Sequence, residues 1–229
     1  MNFALVLAAG TGERMHNNLP KQFIMVNHKP LFIYSVESFQ NNGDVHAIIV
    51  VTNESYIEEV KHWCQEFKLD KVKAVIKGGA TRQESVYNGL KEIEKLIESP
   101  KDIVLIHDSA RPLVSQRIIS ENIALCREFG AVDTVIKAND TIIKSNNEQT
   151  IAEILNRQEL YQTQTPQTFR FDIIKNAHDK ALIEKVPNVT DDCRLVIHFG
   201  GDIHFAQGDK LNFKVTTPED LEIFKALLK

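Results

Sequence analysis

The chain has three cysteines in 229 residues, Cys64, Cys126 and Cys193, far apart and without a C-x-x-C pair. Their odd number excludes a disulfide framework, so buried free thiols in a reducing cytoplasm are expected. Long apolar runs are missing too, so no membrane span is expected, and the first residues lack the charged-then-apolar order of a secretion signal. Positive charge is not in excess: 27 Lys and Arg against 31 Asp and Glu leave a net charge of −4, which excludes a general field for nucleic acid. No His-Glu-x-x-His, no Cys/His cluster and no Gly-x-Ser-x-Gly elbow occur, which sets aside zinc sites and the common serine hydrolases.

What is present begins at the first apolar run. Leu7-Ala8-Ala9-Gly10-Thr11-Gly12-Glu13-Arg14-Met15 leaves the strand-like stretch 3–8, and Pro20-Lys21-Gln22 follows. Small side chains let backbone N–H groups approach phosphate oxygens, and nearby cations neutralise the remaining charge. A dinucleotide fingerprint is excluded because Met15 stands where its third glycine belongs. The ATPase phosphate loop is excluded because no Gly-Lys-Ser/Thr occurs. By itself the loop is equally an ordinary strand-to-loop turn with solvated Arg14 and Lys21.

Apolar strand-like runs recur at 46–52, 72–76 and 103–107, separated by helix-spaced sets such as Ile57, Val60, Cys64, Phe67 and Val86, Leu90, Ile93, Ile97. This alternation predicts an α/β fold of Rossmann-like type, a mostly parallel twisted sheet with helices on both faces. After Gly130 the pattern turns more polar. Stretches 131–137, 140–144 and 150–154 are β-like, with a hairpin candidate at 145–148, and predict an arm projecting from the sheet that packs on a second subunit or folds back on its own domain. Strand-like runs at 195–199, 203–206 and 212–216 precede a final helix that Thr217-Pro218-Glu219-Asp220 opens. Without a low-complexity linker, 1–229 reads as one domain with an arm at about 138–160.

Further constellations carry chemistry. Gly78-Gly79-Ala80-Thr81-Arg82-Gln83-Glu84-Ser85 follows a strand and opens a helix, where Arg82 and Ser85 are placed to face a nucleotide. Simple helix capping by Thr81 or Ser85 explains the same residues. His107-Asp108-Ser109-Ala110-Arg111-Pro112 ends a parallel strand, the end at which such sheets bind ligands. Asp108 there suits Mg²⁺, which takes one or two carboxylates plus phosphate oxygens. A local Asp108–Arg111 pair is the simpler reading, and His107 reads as a packed strand-end residue. The amide- and hydroxyl-rich segment 156–169 must hydrogen-bond something specific if buried. Thr190-Asp191-Asp192 and Lys214-Val215-Thr216-Thr217 complete the set.

In this order the motifs resemble the sugar-alcohol-phosphate cytidylyltransferases over essentially the whole chain. The resemblance implies a nucleotidyltransferase that takes CTP and a polyol phosphate, with Mg²⁺ or another divalent cation, as a homodimer. It implies that Arg14 and Lys21 stabilise the transition state, and that Leu7, Ala8, Ala9, Gly10, Gly12, Gly78, Gly79, Ala80, Arg82, Ser85 and Ser109 hold CTP. It further implies that Arg157 and Thr141 on the arm, with Lys214 and Asp108, receive the acceptor, Arg157 being delivered across the dimer.

Two branches differ in acceptor. Ala131-Val132-Asp133-Thr134-Val135-Ile136, Leu160-Tyr161-Gln162-Thr163-Gln164-Thr165-Pro166-Gln167 and Ser109 look like the branch that makes CDP-ribitol from ribitol 5-phosphate. Ala9 and Arg82-Gln83-Glu84-Ser85-Val86 look like the branch that acts on 2-C-methylerythritol 4-phosphate in isoprenoid synthesis. The expectation is ribitol 5-phosphate, with methylerythritol phosphate as the alternative. A nucleotide-binding module without turnover is the reading from another class; the acceptor-side cations argue against it.

Overall fold

The computed structural model describes residues 1–10, 20–186, 189 and 191–228. Arg14, Gly12 and Thr190, singled out above, lie outside the described residues.

In chain order the elements are β1 (Asn2–Ala8), β2 (Met25–Val26), β3 (Lys29–Pro30), α1 (Leu31–Gln40), β4 (Ala47–Thr52), α2 (Ile57–Glu66), β5 (Val72–Lys77) and α3 (Arg82–Glu94). There follow β6 (Ile103–Asp108), α4 (Gln116–Phe129), β7 (Ala131–Lys137), β8 (Ile143–Lys144), β9 (Glu153–Ile154), β10 (Tyr161–Arg170), α5 (Phe171–Ile183), α6 (Asp192–His198), β11 (His204–Gln207) and α7 (Pro218–Leu227). Seven strands form one sheet in the order β11-β7-β10-β6-β1-β4-β5. β6, β1, β4 and β5 run parallel, as do β7 and β11, while β10 is antiparallel to both β6 and β7.

Strand alternation divides the core between two faces. Phe3 and Leu5 join Ile49, Val51, Val104 and Ile106 under α3, α5 and α6. Ala4 and Val6 join Ile48, Val50 and Leu105 under α1, α2 and α4. Because both faces are covered, β1 and β4 are buried almost throughout, which is why they read as continuous apolar runs. Helix ends follow their sequence signals. Ser115 caps α4, which stops at Gly130 with φ 88°, a left-handed conformation that glycine adopts without strain. Thr217 and Asp220 form a capping box on α7 with Pro218 in its first turn.

Three expectations are corrected. Stretch 195–199 is not a strand but most of α6: Asp191 caps it and the buried Cys193, Leu195 and Val196 pack into the core. A short apolar run has no decisive period, so the cap decides. Stretch 212–216 joins no ladder and is tied down by Val215 N–H donating to the Ala110 carbonyl at 2.8 Å. Stretch 131–137 does not belong to the arm. It is β7, buried inside the sheet, and its polar residues have partners: Asp133 accepts from Thr163, and Thr134 donates to the Pro166 carbonyl at 2.6 Å.

The arm region is reduced to the pair β8–β9, with Ile143 opposite Ile154. Its turn is closed by Asn147 Oδ1, which accepts from the N–H groups of Gln149 and Thr150. Ile143, Ile151 and Ile154 are exposed there. Among the described residues no helix is long and apolar enough to cross a membrane.

Candidate active site

β1 and β6 lie side by side with Leu7 opposite Asp108, so both strands deliver their last residues to one end of the sheet. A cleft of about 460 Å³ opens there. Leu7, Ala9 and Gly10 line it from the exit of β1, with Lys21 and Gln22 beside them. Gly79, Ala80, Thr81, Arg82 and Ser85 line it from the turn into α3, Asp108–Ala110 from the end of β6, and Lys214 and Thr216 from the segment before α7. The structure thus brings residues of both glycine turns, the end of β6 and the Lys214 segment to one cleft, which the segment 156–169 and Asp191 and Asp192 do not line.

The β1 exit is stapled from below. Gln22, 2 % exposed, donates through Nε2 to the carbonyls of Ala8 at 2.7 Å and Gly10 at 2.9 Å. Ala8 is buried and lies behind the cleft wall rather than in it. Gln22 was missed as a site residue, although its place in Pro-Lys-Gln beside the loop was the available signal. Lys21 Nζ donates to the Val215 carbonyl at 3.0 Å, linking this wall to the segment that carries Lys214.

The second glycine turn is self-satisfied. Gly78 N–H donates to the Thr52 carbonyl at 2.8 Å, Gly79 N–H to Ser85 Oγ at 3.0 Å and Ala80 N–H to Glu84 Oε2 at 2.8 Å. Thr81 caps α3 by accepting from Glu84 N–H. The capping explanation therefore accounts for Thr81 and Glu84, and Ser85 braces the turn while facing the cleft. Gly78 is required by close approach: a Cβ there would sit 2.8 Å from Ala9 Cβ and 2.9 Å from Ser85 Oγ. Gly78 itself does not line the cleft.

Charge in the cleft centres on Asp108. Lys214 Nζ lies 2.7 Å from its Oδ2, and Arg82 Nε lies 3.8 Å from its Oδ1. Burial pushes this carboxyl up, but the Lys214 and Arg82 charges outweigh it and hold it well below the usual carboxylate range. The expected Asp108–Arg111 pair is not formed: Arg111 Nη1 donates to the Asn212 carbonyl at 2.8 Å. Arg82 instead spends Nη1 on buried Asp192 at 2.6 Å.

His107 is a packed residue, as the sequence suggested. It is fully buried between the Arg111 carbonyl at 3.1 Å and Thr165 Oγ1 at 3.0 Å, and burial pushes it down to about 4, so it is neutral near pH 7. Ser109 is buried at the cleft floor, its N–H donating to the Leu7 carbonyl at 3.0 Å. Thr165 was not singled out individually. It accepts from the Asp108 N–H at 3.1 Å and so sets the direction of the end of β6.

Arg157 and Thr141 lie on the exposed arm and do not line the cleft. Arg157 Nη1 donates to the Asn139 carbonyl at 2.7 Å.

Among the described residues no group of three or more His, Cys, Asp or Glu is arranged to hold a metal by itself. Asp108 is the one described carboxylate lining the cleft, and Mg²⁺ bound mainly by phosphate oxygens needs one or two carboxylates. The donor set therefore fits a cation that arrives with a nucleotide triphosphate and does not fit a protein-caged one.

A mostly parallel sheet, a small-residue loop at the end of β1 and a cation-rich cleft beyond the strand ends define an α/β nucleotidyltransferase. The sequence model of the IspD family, 2-C-methyl-D-erythritol 4-phosphate cytidylyltransferase, matches residues 3–229. The chain belongs to that family and is a CTP-dependent cytidylyltransferase.

Solved structures agree in fold over nearly the full length. The 4-diphosphocytidyl-2C-methyl-D-erythritol synthase of Anaerococcus prevotii is similar at 27% identity and TM-score 0.83, over 99% of this chain and 95% of that one. The Francisella tularensis 2-C-methyl-D-erythritol 4-phosphate cytidylyltransferase is similar at 27% identity and TM-score 0.81, over 98% of each chain. The Thermus thermophilus cytidylyltransferase of the same name reaches 27% identity and TM-score 0.78, over 99% of this chain and 98% of that one.

Proposed function

We propose that this chain transfers the cytidylyl group from CTP to 2-C-methyl-D-erythritol 4-phosphate and releases pyrophosphate. The observation that carries the proposal is the convergence of Lys21, Arg82, Asp108 and Lys214 on one cleft beside the β1 loop. The family and the solved members similar to this chain are named for the methylerythritol acceptor, which supports this branch better than the ribitol branch favoured by sequence.

The chemistry follows from charge. The acceptor is a phosphate monoester with a second pKa near about 6, so at neutral pH it is mostly a dianion and attacks without a general base. Its oxygen forms the new bond to the α-phosphorus of CTP as the bond to pyrophosphate breaks. Two anions must meet, and fixed cations lower that barrier. In this proposal Lys21 and Arg14 neutralise the triphosphate. Lys214 receives the acceptor phosphate, and Asp108 would hold a divalent cation. A bound Mg²⁺ would supply charge neutralisation of the leaving pyrophosphate. The exposed apolar arm pairs with a second copy, and Arg157 and Thr141 then reach the partner's cleft. The enzyme works where CTP is made, in the cytoplasm.

One observation favours ribitol 5-phosphate as a second reading. The two segments resembling that branch are neighbouring strands, β7 and β10, joined through Asp133, which accepts from Thr163 Oγ1 and from Gln167 Nε2 at 3.2 Å. Pyrophosphate release measured with CTP and each acceptor in parallel tests both. Turnover confined to ribitol 5-phosphate reverses the order, and turnover with neither removes both.

A further inference from the structure

We infer that Asp192 and His178 are positioning residues for nucleotide binding, acting through Arg82. Arg82 is the first residue of α3 and reaches the cleft. Its guanidinium is steered from behind: Nη1 meets Asp192 Oδ2 at 2.6 Å, whereas the approach to Asp108 in the cleft is longer, 3.8 Å. A charge-assisted bond of this kind is short and directional, so Asp192 selects where the cation points.

Asp192 is itself over-determined. It is 1 % exposed, and its N–H donates to Gln167 Oε1 at 3.1 Å. Its second carboxylate oxygen, Oδ1, faces His178 Nε2 at 3.2 Å. His178 is equally buried, on α5, with its ring stacked on Tyr87 of α3 at 6.2 Å. An imidazole N–H at Nε2 donates to Oδ1, leaving Oδ2 for the guanidinium. Three helices thus meet at one carboxylate, and its two oxygens are divided between a buried histidine and a cleft arginine. Neither Asp192 nor His178 lines the cleft, so their contribution to ligand binding passes through Arg82.

This inference rests on the reading of the cleft as a CTP site, and its test is independent of the acceptor. Wild type, His178→Leu, Arg82→Ala and the double variant are compared as full chains by calorimetric titration with CTP and Mg²⁺. Melting temperatures are measured alongside. His178→Leu is expected to weaken CTP binding about tenfold when Arg82 is present and less than about twofold when it is absent, because the bond it supports is gone. His178→Gln, which retains a donor, is expected to recover most of the loss.

Equal losses in both backgrounds would mark a merely structural residue and overturn the inference, as would unchanged affinity in His178→Leu. If His178→Leu melts below the titration temperature, Asp192→Asn runs the same cycle. If Arg82→Ala abolishes binding, Arg82→Lys replaces it. A wild type that binds CTP but turns over neither polyol phosphate sinks the proposed function and leaves this coupling readable. A wild type that does not bind CTP sinks both.

Discussion

Lys214 and Asp108, brought from opposite halves of the chain, hold each other at 2.7 Å in the cleft. Each belongs to a different motif, and the pair keeps a buried carboxylate compensated. In the proposed function, phosphate oxygens would compete for the lysine and a divalent cation for the acid.

Asp108→Asn tests that exchange. The variant leaves Lys214 and Arg82 facing a neutral amide, so the fold is expected to persist while the divalent-cation dependence changes. Pyrophosphate release should require roughly tenfold more Mg²⁺ in the variant, since a carboxylate ligand is lost. EDTA should stop the wild type, with recovery on adding Mg²⁺. A variant with the wild-type Mg²⁺ profile removes Asp108 from the cation site.

Lys21→Ala removes a cation from the wall next to the β1 loop. The expected loss in kcat/KM is about a few hundredfold, on the order of 3–4 kcal/mol, by analogy with loss of one oxyanion donor. Because Lys21 also holds the Val215 carbonyl, Lys21→Arg serves as the comparison, and circular dichroism should show both folded. Near-normal pyrophosphate release from the alanine variant would exclude a role for Lys21 in the chemistry.

Asp133 gives a stability prediction with a defined sign. Burial pushes its carboxyl up to about 6 from 3.8, against the Thr163 and Gln167 hydrogen bonds. A raised acid favours folding while protonated, so its contribution is complete below pH 4 and is lost as pH rises through 6. Asp133→Asn should therefore be more stable than wild type at pH 8, by about 3 kcal/mol, with the gap closing between pH 6 and pH 4. Urea denaturation at pH 4, 6 and 8 measures it; a constant gap contradicts the assignment.

Gly78→Ala is expected to be costly for a local reason. The added methyl would meet Ala9 Cβ at 2.8 Å and Ser85 Oγ at 2.9 Å, so the two cleft turns must separate. A stability loss of about 1–3 kcal/mol and a raised KM for CTP should accompany it. Gly43→Ala, which meets nothing within 4 Å among the described residues, is the control and should leave both unchanged.

The arm carries a prediction about assembly. Ile151 and Ile154 are 60% and 65% exposed in the single chain, an arrangement that a second copy would relieve. Light scattering should find a dimer for the wild type and a monomer for Ile151→Lys/Ile154→Lys, with activity falling alongside. A wild-type monomer that is fully active removes the proposed exchange of Arg157.

Local chemistry made several elements legible in the sequence, though not α6. Continuous apolar runs announced β1, β4 and β6 because strands buried on both faces have no polar side to show. Capping residues announced α7, and small residues after β1 marked one wall of the cleft. The class of reaction came from the ordered motifs, whereas the acceptor branch they favoured, ribitol 5-phosphate, is supported less well than the methylerythritol branch by the family match.

Only the tertiary structure could decide the partners. Arg82 goes to Asp192, Asp108 goes to Lys214, and Gln22 closes on Ala8 and Gly10. The polar residues Asp133, Thr134 and Gln167 looked unfit for a core, yet they find partners across β7 and β10 and are buried there. Burial of a polar group depends on a hydrogen-bond partner, and that partner is chosen by packing between elements distant in sequence. Spacing along a chain carries no record of that choice.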